Sequence, residues 1–266
     1  MTLRITVPVL TLRSIAGRLD PEANAEYAHR ASSTWLDHFL VNGTIGGGET
    51  STPSERRALL ETWAAHVPTI RLLACAWEPA DLDHARELGI RPTVVMRGLP
   101  DDAAALNLFA RMPAGYWVYS HPKYSPATLT PTVAIAARAA GTLPTGGKIC
   151  KVSLDDVTRL RAAAGPDFQL YDGRCRHLAR SIAAGATGVI AVPLACLPAD
   201  LPTPEDVAAL QRVIDRTQAL IDDRPHLADR IDLLTAQLRR SAAAHSPEEA
   251  VPAWRPDVSL NGPSQP

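Results

Sequence analysis

The chain has 266 residues, of which 46% are hydrophobic, enough for one large α/β domain or two small ones with a full core. Its net charge of −1, with arginines spread among acids, leaves no field for collecting nucleic acid. No apolar stretch reaches the length of a membrane span, and Met1-Thr2-Leu3-Arg4 runs straight into a strand-like segment with no signal-peptide pattern, so a cytoplasmic protein is expected. The four cysteines, Cys75, Cys150, Cys175 and Cys196, lie far apart without a CxxC pair and read as small buried thiols, neither a zinc site nor a disulfide framework.

Along the chain, short apolar runs alternate with longer stretches of helical period. Strands are expected at Ile5 to Leu10, His38 to Val41, Arg71 to Ala76, Thr93 to Met96, Tyr116 to Tyr119, Ile149 to Val152, Phe168 to Tyr171 and Gly188 to Val192. Helices are expected between and after them, at Pro21 to Ser33, Ser54 to His66, Pro79 to Leu88, Asp101 to Arg111, Pro131 to Ala140, Leu154 to Ala164, His177 to Ala184 and Pro204 to Ile221. Asp20-Pro21, Thr52-Pro53 and Thr203-Pro204 carry start signals, a capping side chain followed by proline in the first turn.

Eight βα units in about 220 residues fit a closed (β/α)8 TIM barrel better than an open sheet. The barrel is expected to span residues 1–222 and a C-terminal extension residues 223–266, the two forming one domain. In the extension, Pro225 to Ala243 places Leu227, Ile231, Leu234 and Leu238 at helical spacing, as an additional helix packed on the barrel or on a partner subunit. The tail from His245 to Pro266 reads as irregular, with Trp254 as an anchor.

In such a barrel the residues at the carboxyl ends of the strands share one mouth. The chain has three lysines against 24 arginines, and Lys151 closes the apolar run Gly147-Lys148-Ile149-Cys150-Lys151-Val152. A buried lysine tends to lose its proton, and a neutral amine attacks a carbonyl to form a Schiff base. Lys148, three residues earlier, falls on the opposite face and reads as pointing outward. His121 and His177 read as packing or solvated residues rather than bases.

Further strand-end segments fall in order around that lysine. Val41-Asn42-Gly43-Thr44-Ile45-Gly46-Gly47-Gly48-Glu49 and Thr52-Pro53-Ser54-Glu55-Arg56 follow the second strand, and Tyr119-Ser120-His121-Pro122 the fifth. Ile149-Cys150-Lys151-Val152-Ser153, Leu170-Tyr171-Asp172-Gly173 and Gly185-Ala186-Thr187-Gly188-Val189-Ile190-Ala191-Val192 belong to the sixth, seventh and eighth. This ordered set resembles the GTTGE, YN-x-P, GIK-x-S/T, S-G-D-D and GG-x-GVISV segments of the dihydrodipicolinate synthase / N-acetylneuraminate lyase family, Schiff-base class I aldolases on a (β/α)8 barrel. Val7-Pro8-Val9-Leu10-Thr11 and Trp254-Arg255-Pro256 have counterparts there too.

The resemblance implies a Schiff base between Lys151 and a 2-oxo acid such as pyruvate, with an aldehyde added or released and no metal or organic cofactor required. It implies that Tyr119 moves protons at the substrate oxygen, that the Thr44 and Ile45 amides grip the α-carboxylate, and that the Thr44 hydroxyl relays a proton to Tyr119. Ser153, Gly173 and Ile190 are expected to line the substrate, and a homodimer or homotetramer is expected. The chain also departs from the pattern. Ile45 replaces the second threonine of GTTGE, and Gly47 its glutamate. Where the family's synthases place a relay tyrosine that crosses a subunit interface, this chain has Met96-Arg97-Gly98-Leu99-Pro100, so the three-residue relay lacks its outer member. Tyr124 replaces an arginine used for a second carboxylate, and Arg174-Cys175 an acidic pair used for sugar hydroxyls. Arg97 and Arg174 instead place cations near the mouth. Two other readings stay open: a keto-acid hydratase, dehydratase or decarboxylase on the same scaffold, and a barrel that has lost turnover and binds a ligand or partner.

Overall fold

The computed structural model describes residues 3–245; the tail expectations, including Trp254 and Trp254-Arg255-Pro256, lie outside the described residues. Eight parallel strands close in chain order into a barrel: β1 Arg4–Pro8, β2 His38–Val41, β3 Leu72–Ala76, β4 Arg91–Val95, β5 Trp117–Ser120, β6 Gly146–Ile149, β7 Gln169–Asp172 and β8 Gly188–Ile190. Helices α1 Pro21–Ser32, α2 Pro53–His66, α3 Pro79–Glu87, α4 Asp102–Arg111, α5 Pro131–Ala139, α6 Leu154–Ala164, α7 Leu178–Ala183 and α8 Val207–Asp222 alternate with them. This is the (β/α)8 barrel with an additional C-terminal helix, α9 Leu227–His245. No helix among the described residues is long and apolar enough to cross a membrane.

Helix starts follow local chemistry. Asp20 accepts from the Ala23 amide, and Thr52 forms a reciprocal capping box with Glu55, each with a proline in the first turn of its helix. The start expected at Thr203-Pro204 lies three residues late in the structure, because Asp206 accepts from the Ala209 amide and caps α8. The C-terminal helix buries Leu234 and Leu238 in the same core as α1, and Arg30 donates to the Leu238 carbonyl at 3.2 Å.

Strand alternation divides the core into an outer ring and an interior. Ile5, Val7, Phe39, Val41, Val118, Ile149 and Leu170 face the helices. Leu40, Leu73, Cys75, Val95, Trp117, Tyr119, Tyr171 and Ile190 fill the interior. The sixth strand lies three residues earlier than the sequence predicts. Its Gly146-Gly147 pair is strand, not turn, since a Cβ at Gly146 would stand 2.6 Å from Trp117 and one at Gly147 2.9 Å from Val118. Without side chains there, β6 closes against the bulky β5.

Candidate active site

The shift of β6 exchanges the two lysines. Lys148 is the register partner of Tyr119 on β5, so both side chains share the interior face. Lys148 is 6% exposed, and its Nζ lies 3.9 Å from the centroid of the Tyr119 ring. Lys151 stands beyond the strand in a left-handed conformation (φ 61°) and is exposed. The expectation that Lys151 is the buried amine and Lys148 the outward one is therefore corrected: the strand ends at Ile149, and the backbone reverses before Lys151.

Two opposing influences act on Lys148. Burial, the larger single one, favours the neutral amine; ionised Tyr119, Cys150 and Cys75 would favour the ammonium, and with them charged the balance lies upward. Near neutral pH those anions are absent, because burial pushes Tyr119 and Cys75 up to about 12 and raises Cys150. Burial is then the larger influence left on Lys148, against its hydrogen bond with Tyr119, and it favours the free amine.

Around this pair the loops supply polar groups. After β2, Gly43 leads into a 3-10 turn, Thr44–Gly46, whose first N–H groups have no partner within the turn and point out of its N-terminus. The Thr44 hydroxyl lies 3.1 Å from the Tyr119 hydroxyl, and Tyr119 is itself 3% exposed. The Ile45 side chain, by contrast, packs into the outer core. A Cβ at Gly48 would fall 1.9 Å from the Asn42 carbonyl oxygen, so this third glycine allows the loop to fold back on itself. That carbonyl accepts from the Trp77 indole at 2.8 Å, which fixes Trp77 over the end of β3.

A second phenol reaches Thr44 from the same chain. Tyr124, in the loop after β5, places its hydroxyl 2.8 Å from Thr44 Oγ1. Its ring meets those of Trp77 at 5.3 Å and Tyr119 at 5.7 Å, both edge-on. Lys123 lies over the Tyr124 ring at 4.9 Å while bonded to Glu49 at 3.0 Å. His121 adds a third ring at 5.6 Å, and its pKa is lowered by burial and by Lys148, Lys151 and Lys123, in that order. All three lysines of the chain therefore act on one imidazole at this mouth.

The remaining expected positions divide. Ile190 faces the interior at 1% exposure. Gly173 lies against β6, where a Cβ would stand 2.4 Å from Cys150 Sγ. The Ser153 hydroxyl is engaged as the cap of α6, accepting from the Asp156 amide and donating to its carboxylate, so it does not face the interior. Arg97 is exposed beyond β4. Arg174 donates to the Val152 carbonyl and lies 3.8 Å from Asp172, on the rim. Among the described residues no group of three His, Cys, Asp or Glu side chains is placed to hold a metal. Lys148, Tyr124 and Trp77 are the residues that sequence reasoning missed. Strand parity counted from Tyr119's partner could have found the first; the other two depend on contacts across loops far apart in sequence.

No family model and no curated protein matches the sequence. The fold, however, is that of several solved structures. A sialic acid aldolase of Ruminococcus gnavus is 14% identical, with a TM-score of 0.73 over 91% of this chain and 98% of that one. A dihydrodipicolinate synthase of Cyanidioschyzon merolae, solved with lysine bound, is 19% identical, with a TM-score of 0.67 over 91% and 98%. A 2-keto-3-deoxygluconate aldolase variant of Sulfolobus solfataricus is 15% identical, with a TM-score of 0.67 over 91% and 97%. At these identities the likeness is one of fold, spanning nearly the full length of each chain.

Proposed function

We propose that this chain is a divergent member of the dihydrodipicolinate synthase / N-acetylneuraminate lyase family. In this reading it is a carbon-carbon lyase or aldolase that binds a 2-oxo acid, pyruvate in the simplest case, as a Schiff base on Lys148. The observation that carries the reading is the buried Lys148 amine beside Tyr119, whose hydroxyl is bonded to Thr44 at the open end of a 3-10 turn. The aldolase and synthase folds among the solved structures support it.

The chemistry follows from these groups. The neutral Lys148 amine attacks the keto carbon, and the Tyr119 hydroxyl donates its proton to the oxygen that becomes the carbinolamine hydroxyl. The nitrogen then sheds one of its two protons, that proton goes to the same oxygen, the C–O bond breaks with loss of water, and the nitrogen remains as a protonated imine. Loss of a C3 proton to the Tyr119 phenolate places the electron pair in an enamine. Its C3 then attacks an aldehyde carbon, and the new alkoxide takes back from Tyr119 the proton that C3 gave up. Water returns to the imine carbon, the C–N bond breaks, and Lys148 is released. The Thr44 and Ile45 amides would hold the α-carboxylate, since N–H groups at the start of such a turn favour an anion.

Intact mass after incubation with pyruvate and borohydride tests the assignment in the parent, Lys148→Ala and Lys151→Ala. A reduced adduct is expected in the parent and Lys151→Ala and not in Lys148→Ala. An adduct that survives Lys148→Ala but is lost in Lys151→Ala would return the role to Lys151. A parent that forms no adduct with pyruvate or larger keto acids would leave a barrel kept for binding.

A further inference from the structure

Three hydroxyls stand in a row from the barrel interior to its mouth: Tyr119, Thr44 and Tyr124, with steps of 3.1 Å and 2.8 Å. A threonine hydroxyl has one proton to donate and lone pairs to accept with, so Thr44 can accept from one phenol while donating to the other. Tyr119 is 3% exposed and Tyr124 9%, so the row runs from a sealed end toward a wetter one. Tyr124 is held at several points within the chain. Its amide donates to the His121 carbonyl at 3.0 Å, and its carbonyl accepts from the Gly98 amide at 3.0 Å. Ser125 ties the same loop to Leu99, accepting from the Leu99 amide at 2.8 Å and donating to the Leu99 carbonyl at 2.6 Å. The loop after β4 therefore serves to anchor Tyr124.

We propose that Tyr124 is a positioning residue for proton transfer, the outer member of a relay that acts on the substrate through Thr44 and Tyr119 and is complete within a single chain. The inference rests on the Schiff-base reading above. When Tyr119 gives its proton to the substrate oxygen, Thr44 passes its own proton to the Tyr119 phenolate. Tyr124 passes its proton to Thr44, and water reprotonates Tyr124. One proton travels from solvent to substrate; run the other way, the same three transfers take the Tyr119 proton out to water and leave the phenolate that accepts the C3 proton. Tyr124 also fixes the Thr44 hydroxyl, which without it would be free to rotate away from Tyr119.

Deuterium exchange into the methyl group of pyruvate, followed by proton NMR in D2O, reads enamine formation with no need for the aldehyde. Tyr124→Phe keeps the ring contacts and removes only the hydroxyl. It is expected to lower the saturated exchange rate by about 10- to 100-fold, as for loss of a proton-transfer group. The pyruvate concentration for half-saturation is expected to change by less than about threefold, because a proton-transfer defect leaves binding largely intact. Thr44→Val and Thr44→Val/Tyr124→Phe are expected to be equally slow, since Tyr124 acts only through Thr44. Parent-like exchange by Tyr124→Phe, or a double variant slower by the product of the two single effects, overturns the relay. If the parent itself neither exchanges nor forms a borohydride adduct, both the relay and the Schiff-base reading fall. A parent that forms the adduct beside an unimpaired Tyr124→Phe removes the relay alone.

Discussion

Protonation of His38 should make the barrel unfold more readily as pH falls from 6.5 toward 4. The imidazole is 8% exposed on the interior face at the start of β2, with its ring between those of Trp117 and Tyr171, and its buried Nδ1 has no protein partner. Burial first, then the guanidinium groups of Arg91, Arg4 and Arg71, hold its pKa down to about 4 from an ordinary 6.5. A base with a depressed folded pKa binds its proton preferentially in the unfolded chain. Its effect on stability is therefore nil above pH 6.5 and grows unfavourable as pH drops to about 4. At about 1.4 kcal/mol per pH unit, the window between these two values amounts to about 3 kcal/mol. Urea unfolding at pH 7, 6, 5 and 4 for the parent and His38→Gln measures it as a difference, in which carboxylates common to both proteins cancel. The parent should lose about 3 kcal/mol more than the variant over this range. Parallel profiles, or a His38 ring resonance titrating near 6.5 in the folded protein, would refute the reasoning.

Two further outcomes follow from the mouth of the barrel. The rate of reductive trapping of pyruvate by cyanoborohydride should rise with pH and reach half its maximum below the ordinary lysine value of 10.5, since burial favours the free amine of Lys148 when Tyr119 is protonated; a midpoint at or above 10.5 would mean that an anion holds the ammonium instead. In the loop after β2, Gly48→Ala should lower stability by about 3 kcal/mol, at the upper end for overpacking, because its methyl would meet the Asn42 carbonyl and the Trp77 indole. Gly43→Ala, whose methyl would make only ordinary contacts near 3.8 Å, should unfold within about 0.5 kcal/mol of the parent in the same urea titration.

Which parts of this architecture were legible depends on how local their causes are. Helices that begin Asp20-Pro21 and Thr52-Pro53 declare themselves, because cap and proline lie within a few residues. The sixth strand did not, because Gly146-Gly147 carries the composition of a turn while its cause, the bulk of Trp117 and Val118, lies some 30 residues away. That displacement, by three residues, inverted the faces of Lys148 and Lys151 and moved the candidate nucleophile. Thr44 and Tyr119 were legible as a pair through the motifs that carry them. Tyr124 reads in the sequence as a departure only, since its hydroxyl meets that of Thr44, 80 residues earlier in the chain, only in the fold.

Backbone strain gives an independent indication of where the working end lies. Three non-glycine residues among those described have positive φ: Asn42 at 58°, Lys151 at 61° and Leu197 at 44°. Asn42 follows β2, Lys151 follows β6 by two residues, and Leu197 ends the 3-10 turn after β8, so all three stand on the carboxyl side of the barrel. Asparagine tolerates this conformation, but for lysine and leucine it costs about 1–2 kcal/mol each, and neither is replaced here by the glycine that would remove the cost. At Asn42 the strained residue holds the Trp77 indole with its carbonyl and donates its side-chain amide to the Arg56 carbonyl at 3.0 Å. At Lys151 the reversal takes the chain directly from the strand bearing Lys148 to the Ser153 cap of α6. The left-handed step at Lys151 thus stands two residues past the strand that carries Lys148, on the same side of the barrel as Thr44 and Tyr124.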